Sequence, residues 1–169
     1  MEILAFVLST LGTVCICITP LLKGKNMKLI LFLVFLTNVL IATSYILTGA
    51  FNGAATCCVA AVQAIINYSF ERKNKSIPGW LIALYAVAFV IVNLLVFSRI
   101  TDILALAAAF MFIIVICQKN GKQYRLWTLA KTVLWVVYDL ITLSFGPLCT
   151  HAIEIVILIL GIVVHDRKK

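Results

Sequence analysis

Three ionisable side chains, Lys131, Asp139 and Glu154, stand inside long apolar runs of this 169-residue chain. A charge deep in hydrocarbon costs at least about 2.5–3.5 kcal/mol on insertion scales, so each must face a partner, a cavity or water. Counted outward from Gly146, Asp139 and Glu154 lie six or seven residues from one end of two consecutive helices. At a helical rise of 1.5 Å that is a shared depth of about 9–10 Å. Two carboxylates at one depth are expected to meet and share a proton, which is the chemistry of proton-linked solute movement. The alternative for each is a hydrogen bond to Thr142, Thr150 or Tyr138 that ties helices together. His151 lies one turn from Glu154 on the same helix face. It is read as solvated near the helix end, with completion of a relay as the alternative. Lys131, a turn or two from the opposite end, is read as an interface anchor whose stem snorkels.

Uncharged polar groups mark a second level. Asn38, Gln63, Asn67 and Trp135 lie near the middle of their apolar runs, where an amide must find a partner because hydrocarbon offers none. A binding pocket would use the amides to read hydroxyl or amide groups of a solute and Trp135 as a flat wall. Lys131, Trp135, Tyr138 and Asp139 recur at three- and four-residue spacing and share one helix face, taken as the cavity face. The substrate-binding candidates are therefore Asn38, Tyr45, Gln63, Asn67, Trp135, Tyr138 and Asp139. Asp139 and Glu154 are the proton-coupling candidates. The competing reading for every one of them is interhelical hydrogen bonding. Asn93 is assigned to packing.

No H-E-x-x-H, Gly-rich phosphate loop or Ser/His/Asp set occurs, so no catalytic residue and no cofactor are assigned and an enzyme is not expected. The six cysteines, Cys15, Cys17, Cys57, Cys58, Cys117 and Cys149, show no C-x-x-C spacing and read as small packing residues without metal or disulfide.

The elements that position these groups follow from composition. Apolar residues make up 64% and charged residues 12% of the chain, with a mean hydropathy of +1.15, which excludes an ordinary soluble domain. Seven segments are long enough to cross a bilayer, near 3–22, 28–48, 53–70, 80–97, 102–117, 124–144 and 148–164. Gly49-Ala50-Phe51-Asn52-Gly53 and Phe145-Gly146-Pro147 supply two turns. The net charge of +8 comes in short clusters between apolar runs, which argues against nucleic acid as a partner. Twelve of the fourteen basic residues fall in alternate loops or at the C-terminus, leaving Arg99 opposite and Lys131 within a span. An excess of basic residues marks cytoplasmic loops, so the N-terminus is expected outside and the C-terminus in the cytoplasm. The N-terminus lacks a basic n-region and its first apolar run is expected to remain as a span. Trp80, Tyr124 and Trp127 are expected at the cytoplasmic interface.

The chain also repeats itself. Glu2-Ile3-Leu4-Ala5 recurs as Asp102-Ile103-Leu104-Ala105, and Ile16-Cys17 as Ile116-Cys117. Each copy continues through a basic loop, a span with a tyrosine (Tyr45; Tyr138) and a glycine turn (Gly49; Gly146) into a third span. Two parallel three-helix units joined by a linker helix follow from this: 1–70, a linker loop and fourth helix at 71–98, and 99–169. The plan is all-α with seven transmembrane helices in a 3+1+3 arrangement.

That plan, with Thr19-Pro20 ending the first span, resembles the SWEET, SemiSWEET and PQ-loop group of small transporters. The resemblance implies alternating access, with Pro20 as a hinge; the fifth span ends in Cys117-Gln118 with no matching proline. Trp135-Val136-Val137-Tyr138-Asp139, Ser144-Phe145-Gly146 and Glu154 are similar to the YgjV group of bacterial inner-membrane proteins, which implies a multi-pass protein of the cytoplasmic membrane. The expected partners are a small polar solute and the lipid bilayer, with monomer and homo-oligomer both open. The rival is a non-transporting interaction or assembly protein whose polar residues only hold helices together.

Overall fold

The chain is described here from a computed structural model that covers residues 2–22, 27–118 and 121–166. Seven α-helices follow one another: α1 (Glu2–Ile18), α2 (Met27–Thr48), α3 (Phe51–Arg72), α4 (Gly79–Leu95), α5 (Asp102–Cys117), α6 (Gly121–Thr142) and α7 (Phe145–Asp166). A short 3₁₀ turn, Thr19–Leu22, extends α1. Pro20 falls in that turn, but its side chain lies outside the described residues, as do Lys23, Lys25, Lys119 and the last three residues of the chain. By length and composition, α2, α3 and Phe145–Val164 of α7 can each cross a membrane, while α1, α4 and α5 carry shorter apolar helices. Helix α6 has 22 residues and carries Lys122, Arg125, Lys131 and Asp139.

The first tight turn falls at Gly49, as the glycine pattern predicts, and the second lies earlier than Gly146. Gly49 takes the left-handed conformation (φ +77°) that only glycine adopts without steric cost, and the Ala50 N–H closes back on Tyr45 O at 2.9 Å. Helix α3 therefore starts at Phe51 and includes Asn52 and Gly53. In the second half the equivalent left-handed residue is Leu143 (φ 55°), with the Ser144 N–H closing on Asp139 O at 2.9 Å. Gly146, the predicted turn glycine, is inside α7 instead. It serves a close crossing, because a Cβ there would stand 2.7 Å from Ser9 Oγ on α1. Pro147 fits the same first turn because the leading N–H groups of a helix have no partner within it.

Adjacency among the helices forms a ring. Helix α1 packs on α2 and α7, α2 on α3, α3 on α5, α5 on α6 and α6 on α7, with α4 outside against α3 and α5. Exchanging α1, α2 and α3 with α5, α6 and α7 maps this ring onto itself. Small residues at the crossings, Ala5 on α1, Ala54, Ala60 and Ala64 on α3, and Ala105, Ala108 and Ala109 on α5, are buried and let the backbones approach closely.

The distribution of side chains is inverted relative to a soluble protein. Phe6, Phe32, Val62, Ile91, Val137 and Ile159 are exposed, whereas Ser9, Thr13, Ser44, Gln63, Thr132, Asp139, Thr150 and Glu154 are buried. Hydroxyls tie α1 in place: Ser9 Oγ donates to Ser44 Oγ at 2.8 Å, and Thr13 Oγ1 donates to Thr150 Oγ1 at 2.7 Å. Asn93 of α4 does the same for the outer helix, accepting from Thr56 of α3 at 3.3 Å. These bonds stay inside because hydrocarbon offers no competing partner.

Candidate functional site

The polar interior has three levels. At the end that holds the α2–α3 and α6–α7 turns, an open vestibule is lined by Asn52, Arg99, Asp102, Tyr138 and Thr142. The carboxylate of Asp102, the first residue of α5, holds the preceding loop there, accepting from the backbone N–H groups of Ser98 and Arg99 at 2.9 and 3.1 Å.

The second level is a layer of aromatic rings. Tyr45 of α2 and Trp135 and Tyr138 of α6 pack with centroids 5.5–6.2 Å apart, the two pairs with Tyr138 edge to face. Gly53 of α3 lies against both tyrosines, and its N–H donates to Tyr138 Oη at 3.1 Å. A Cβ at Gly53 would stand 3.1 Å from the Tyr45 ring and 3.2 Å from that of Tyr138, so a larger residue would wedge the layer.

The third level is a cavity of about 50 Å³ among all seven helices. One water needs about 10–15 Å³ measured this way, so the space holds a few waters. Its polar lining comes from α2 (Asn38), α3 (Thr56), α6 (Thr128, Lys131) and α7 (His151, Glu154), with Trp135 closing one side.

The carboxylates take separate partners here. Asp139, fully buried, accepts from Tyr45 Oη at 2.5 Å through one oxygen and faces His151 Nδ1 at 2.7 Å through the other. Glu154 accepts from Thr132 Oγ1 at 3.1 Å through Oε2, and its Oε1 lies 3.7 Å from Lys131 Nζ with no hydrogen bond. The expected meeting of Asp139 and Glu154 does not occur, and the early turn is the reason. Asp139 is four residues from Leu143, whereas Glu154 is ten from Ser144. The six-residue difference separates them by about 9 Å along the bundle.

Two further expectations are corrected. His151 is not solvated: it is 8% exposed, and its ring stacks on Trp135 at 5.8 Å and 15°. Lys131 does not snorkel to an interface. It points into the cavity, 5.9 Å from the Phe112 ring centre and beside Glu154. Tyr124, expected at an interface, also lines the cavity, while Trp80 and Trp127 are exposed.

Among the binding candidates, Asn38 and Trp135 line the cavity. Asn38 Nδ2 donates to its own helix at Val34 O, which leaves its carbonyl toward the space. Tyr45, Tyr138 and Asp139 form and brace the aromatic layer. Gln63 and Asn67 are elsewhere: Gln63 is fully buried with neither side-chain atom bonded, and Asn67 accepts from Tyr85 Oη at 2.9 Å on the α4 side. Sequence reasoning passed over Thr56, Thr128 and Thr132. Their spacing from face residues was the available signal, since Thr128 lies three residues before Lys131 and Thr132 three residues before Trp135.

Fold and interior together define an all-helical membrane protein, apolar outside and ionic at its centre. The chain belongs to the Imp-YgjV family of bacterial inner membrane proteins, whose model matches residues 3–169. No curated protein and no solved structure matches it.

Proposed function

We propose that the protein carries a small polar solute across the bacterial inner membrane by alternating access, linked to proton movement. All seven helices cross the bilayer on this reading, with the N-terminus outside and the C-terminus in the cytoplasm. The halves 1–70 and 99–169 rock about the central cavity, and 71–98 joins them. One observation carries the reading: a charged cavity lies where both halves and the linker meet, and an aromatic layer separates it from the vestibule. A site between two halves that is shut off from one side is what alternating access requires, since the site must never open to both sides at once. The pair Lys131 and Glu154 presents an ammonium and an unbonded carboxylate oxygen together, which suits a solute with both an acceptor and a donor group.

The test is thermal stability of the purified protein against a metabolite panel, followed by uptake into proteoliposomes. A binding solute raises the melting temperature with the logarithm of its concentration over Kd, because it stabilises the folded state by RT ln(1 + [L]/Kd). The rise is expected to vanish in Asn38→Ala and to persist in Asn67→Ala, because only Asn38 lines the cavity. No response across the panel, or equal loss in both variants, ends the reading in favour of a non-transporting membrane protein. A reporter fused to the C-terminus tests the orientation.

A further inference from the structure

We propose, on the basis of the transport reading, that the Asp139–His151 pair is the proton-binding site and that its proton holds the Tyr45–Trp135–Tyr138 layer shut.

Charge balance is the first argument. Lys131 and Glu154 form a pair that is neutral as a unit. Among the described residues Asp139 is bonded to the Tyr45 hydroxyl and the His151 ring, so its charge is balanced when the ring carries a proton. The interior is then neutral with one proton bound and carries one uncompensated negative charge without it, a state that a low-dielectric interior penalises heavily. The other ionisable groups nearby do not supply that balance. From α3 comes the Cys57 thiol, from α5 Asp102, from α6 Tyr138 and Lys131, and from α7 Glu154. Lys131 is the one permanent cation in that set, and Glu154 already holds it.

Connectivity is the second argument. His151 lines the cavity and stacks on Trp135, whose other neighbours are Tyr45 and Tyr138. Asp139 bridges His151 to Tyr45 through its two carboxylate oxygens. A single carboxylate therefore joins the cavity wall to the layer, and Tyr138 reaches the vestibule on the far side. With the proton bound, imidazolium and carboxylate neutralise each other and the layer stays packed. When the proton leaves His151 for water, the remaining negative charge favours separation of the layer and entry of vestibule water, which solvates Asp139. The proton returns from that water to the free ring nitrogen, Nε2. On release the N–H bond breaks as an O–H bond of hydronium forms, and on return that O–H bond breaks as the N–H bond re-forms, with no other bond changed.

The chain has two histidines, His151 and His165. Nitrogen-15 histidine labelling of His165→Gln in lipid nanodiscs isolates the His151 ring signal. The ring is expected to carry protons on both nitrogens at the lower of two pH values and on one nitrogen at the higher. In Asp139→Asn the doubly protonated ring should be lost at the lower pH, since the counter-charge is gone. The layer is read separately in a chain that keeps Cys57, which lines the cavity, as its one cysteine. Labelling by a membrane-impermeant maleimide from the vestibule side should accelerate from the lower to the higher pH by more than a free thiol run in parallel. Tyr45→Phe keeps the Asp139–His151 pair and should label about tenfold faster at both pH values, the factor expected for one lost hydrogen bond to a charged group. A His151 ring neutral throughout, equal charging in Asp139→Asn, or Cys57 labelling that tracks the free thiol overturns the proposal. If Asp139→Asn does not fold, the unmodified site and Tyr45→Phe decide alone. Stabilisation by a solute with a silent His151 sinks the proton site only. A His151 that gains its proton in a chain answering no solute sinks the transport reading only.

Discussion

Neutralising Lys131 alone should harm the protein more than neutralising Lys131 and Glu154 together. The ammonium and carboxylate stand 3.7 Å apart with side chains 12% and 2% exposed. At an effective dielectric constant of about 20 their attraction is about 4.5 kcal/mol, an upper figure because the geometry is not that of a hydrogen bond. Removing one member strands the other, and breaking a buried pair in this way costs about 3–5 kcal/mol. For a chain of this size about 3 kcal/mol corresponds to a fall in melting temperature of about 6–12 °C. Lys131→Met and Glu154→Gln are each expected to show such a fall in nanodiscs, read by intrinsic fluorescence. The double variant should recover at least half of it, because the stranded charge is gone and Thr132 can still donate to the Gln amide oxygen. Single variants that melt within about 2 °C of the native chain, or a double variant no better than the worse single, would refute the pairing.

Gly53→Ala should cost about 1–3 kcal/mol by wedging a methyl between Tyr45 and Tyr138, measured as a lowered melting temperature. Leu143→Gly should raise stability by about 1 kcal/mol, since an exposed leucine in the left-handed region bears a cost that glycine does not. Tyr85→Phe removes the only donor to Asn67 Oδ1 among the described residues and should cost about 1–3 kcal/mol while leaving any solute response intact.

Helices were legible because apolar run length and turn chemistry are local properties. Asp102 was placed as the start of the fifth helix, and Asp102 is where α5 begins. Errors of two or three residues entered where glycine was taken as the turn marker. Gly49 does hold the left-handed position, but in the second half Leu143 holds it, and no composition rule nominates an exposed leucine for that role. That small slip moved Asp139 and Glu154 apart and hid their true partners. The shared face of Lys131, Trp135, Tyr138 and Asp139 was readable from spacing. Burial of His151 was not, because it depends on α1, α2 and α6 closing around α7. Gln63 and Asn67 show the opposite limit: mid-span position says that an amide needs a partner, not which side of its helix the partner is on.

The two turn closures bear on the origin of the ring. Ala50 N–H to Tyr45 O and Ser144 N–H to Asp139 O are the same five-residue closure, each following one left-handed residue. Set in that register, Tyr45 matches Asp139, and the pair that the register equates is bonded side chain to side chain across the centre of the bundle. A hydroxyl in one half meeting a carboxylate at the matching place in the other is the contact expected where an axis relating the halves passes between them. The two halves thus differ at the residues that touch: one supplies the acid and the base beside it, the other the hydroxyl.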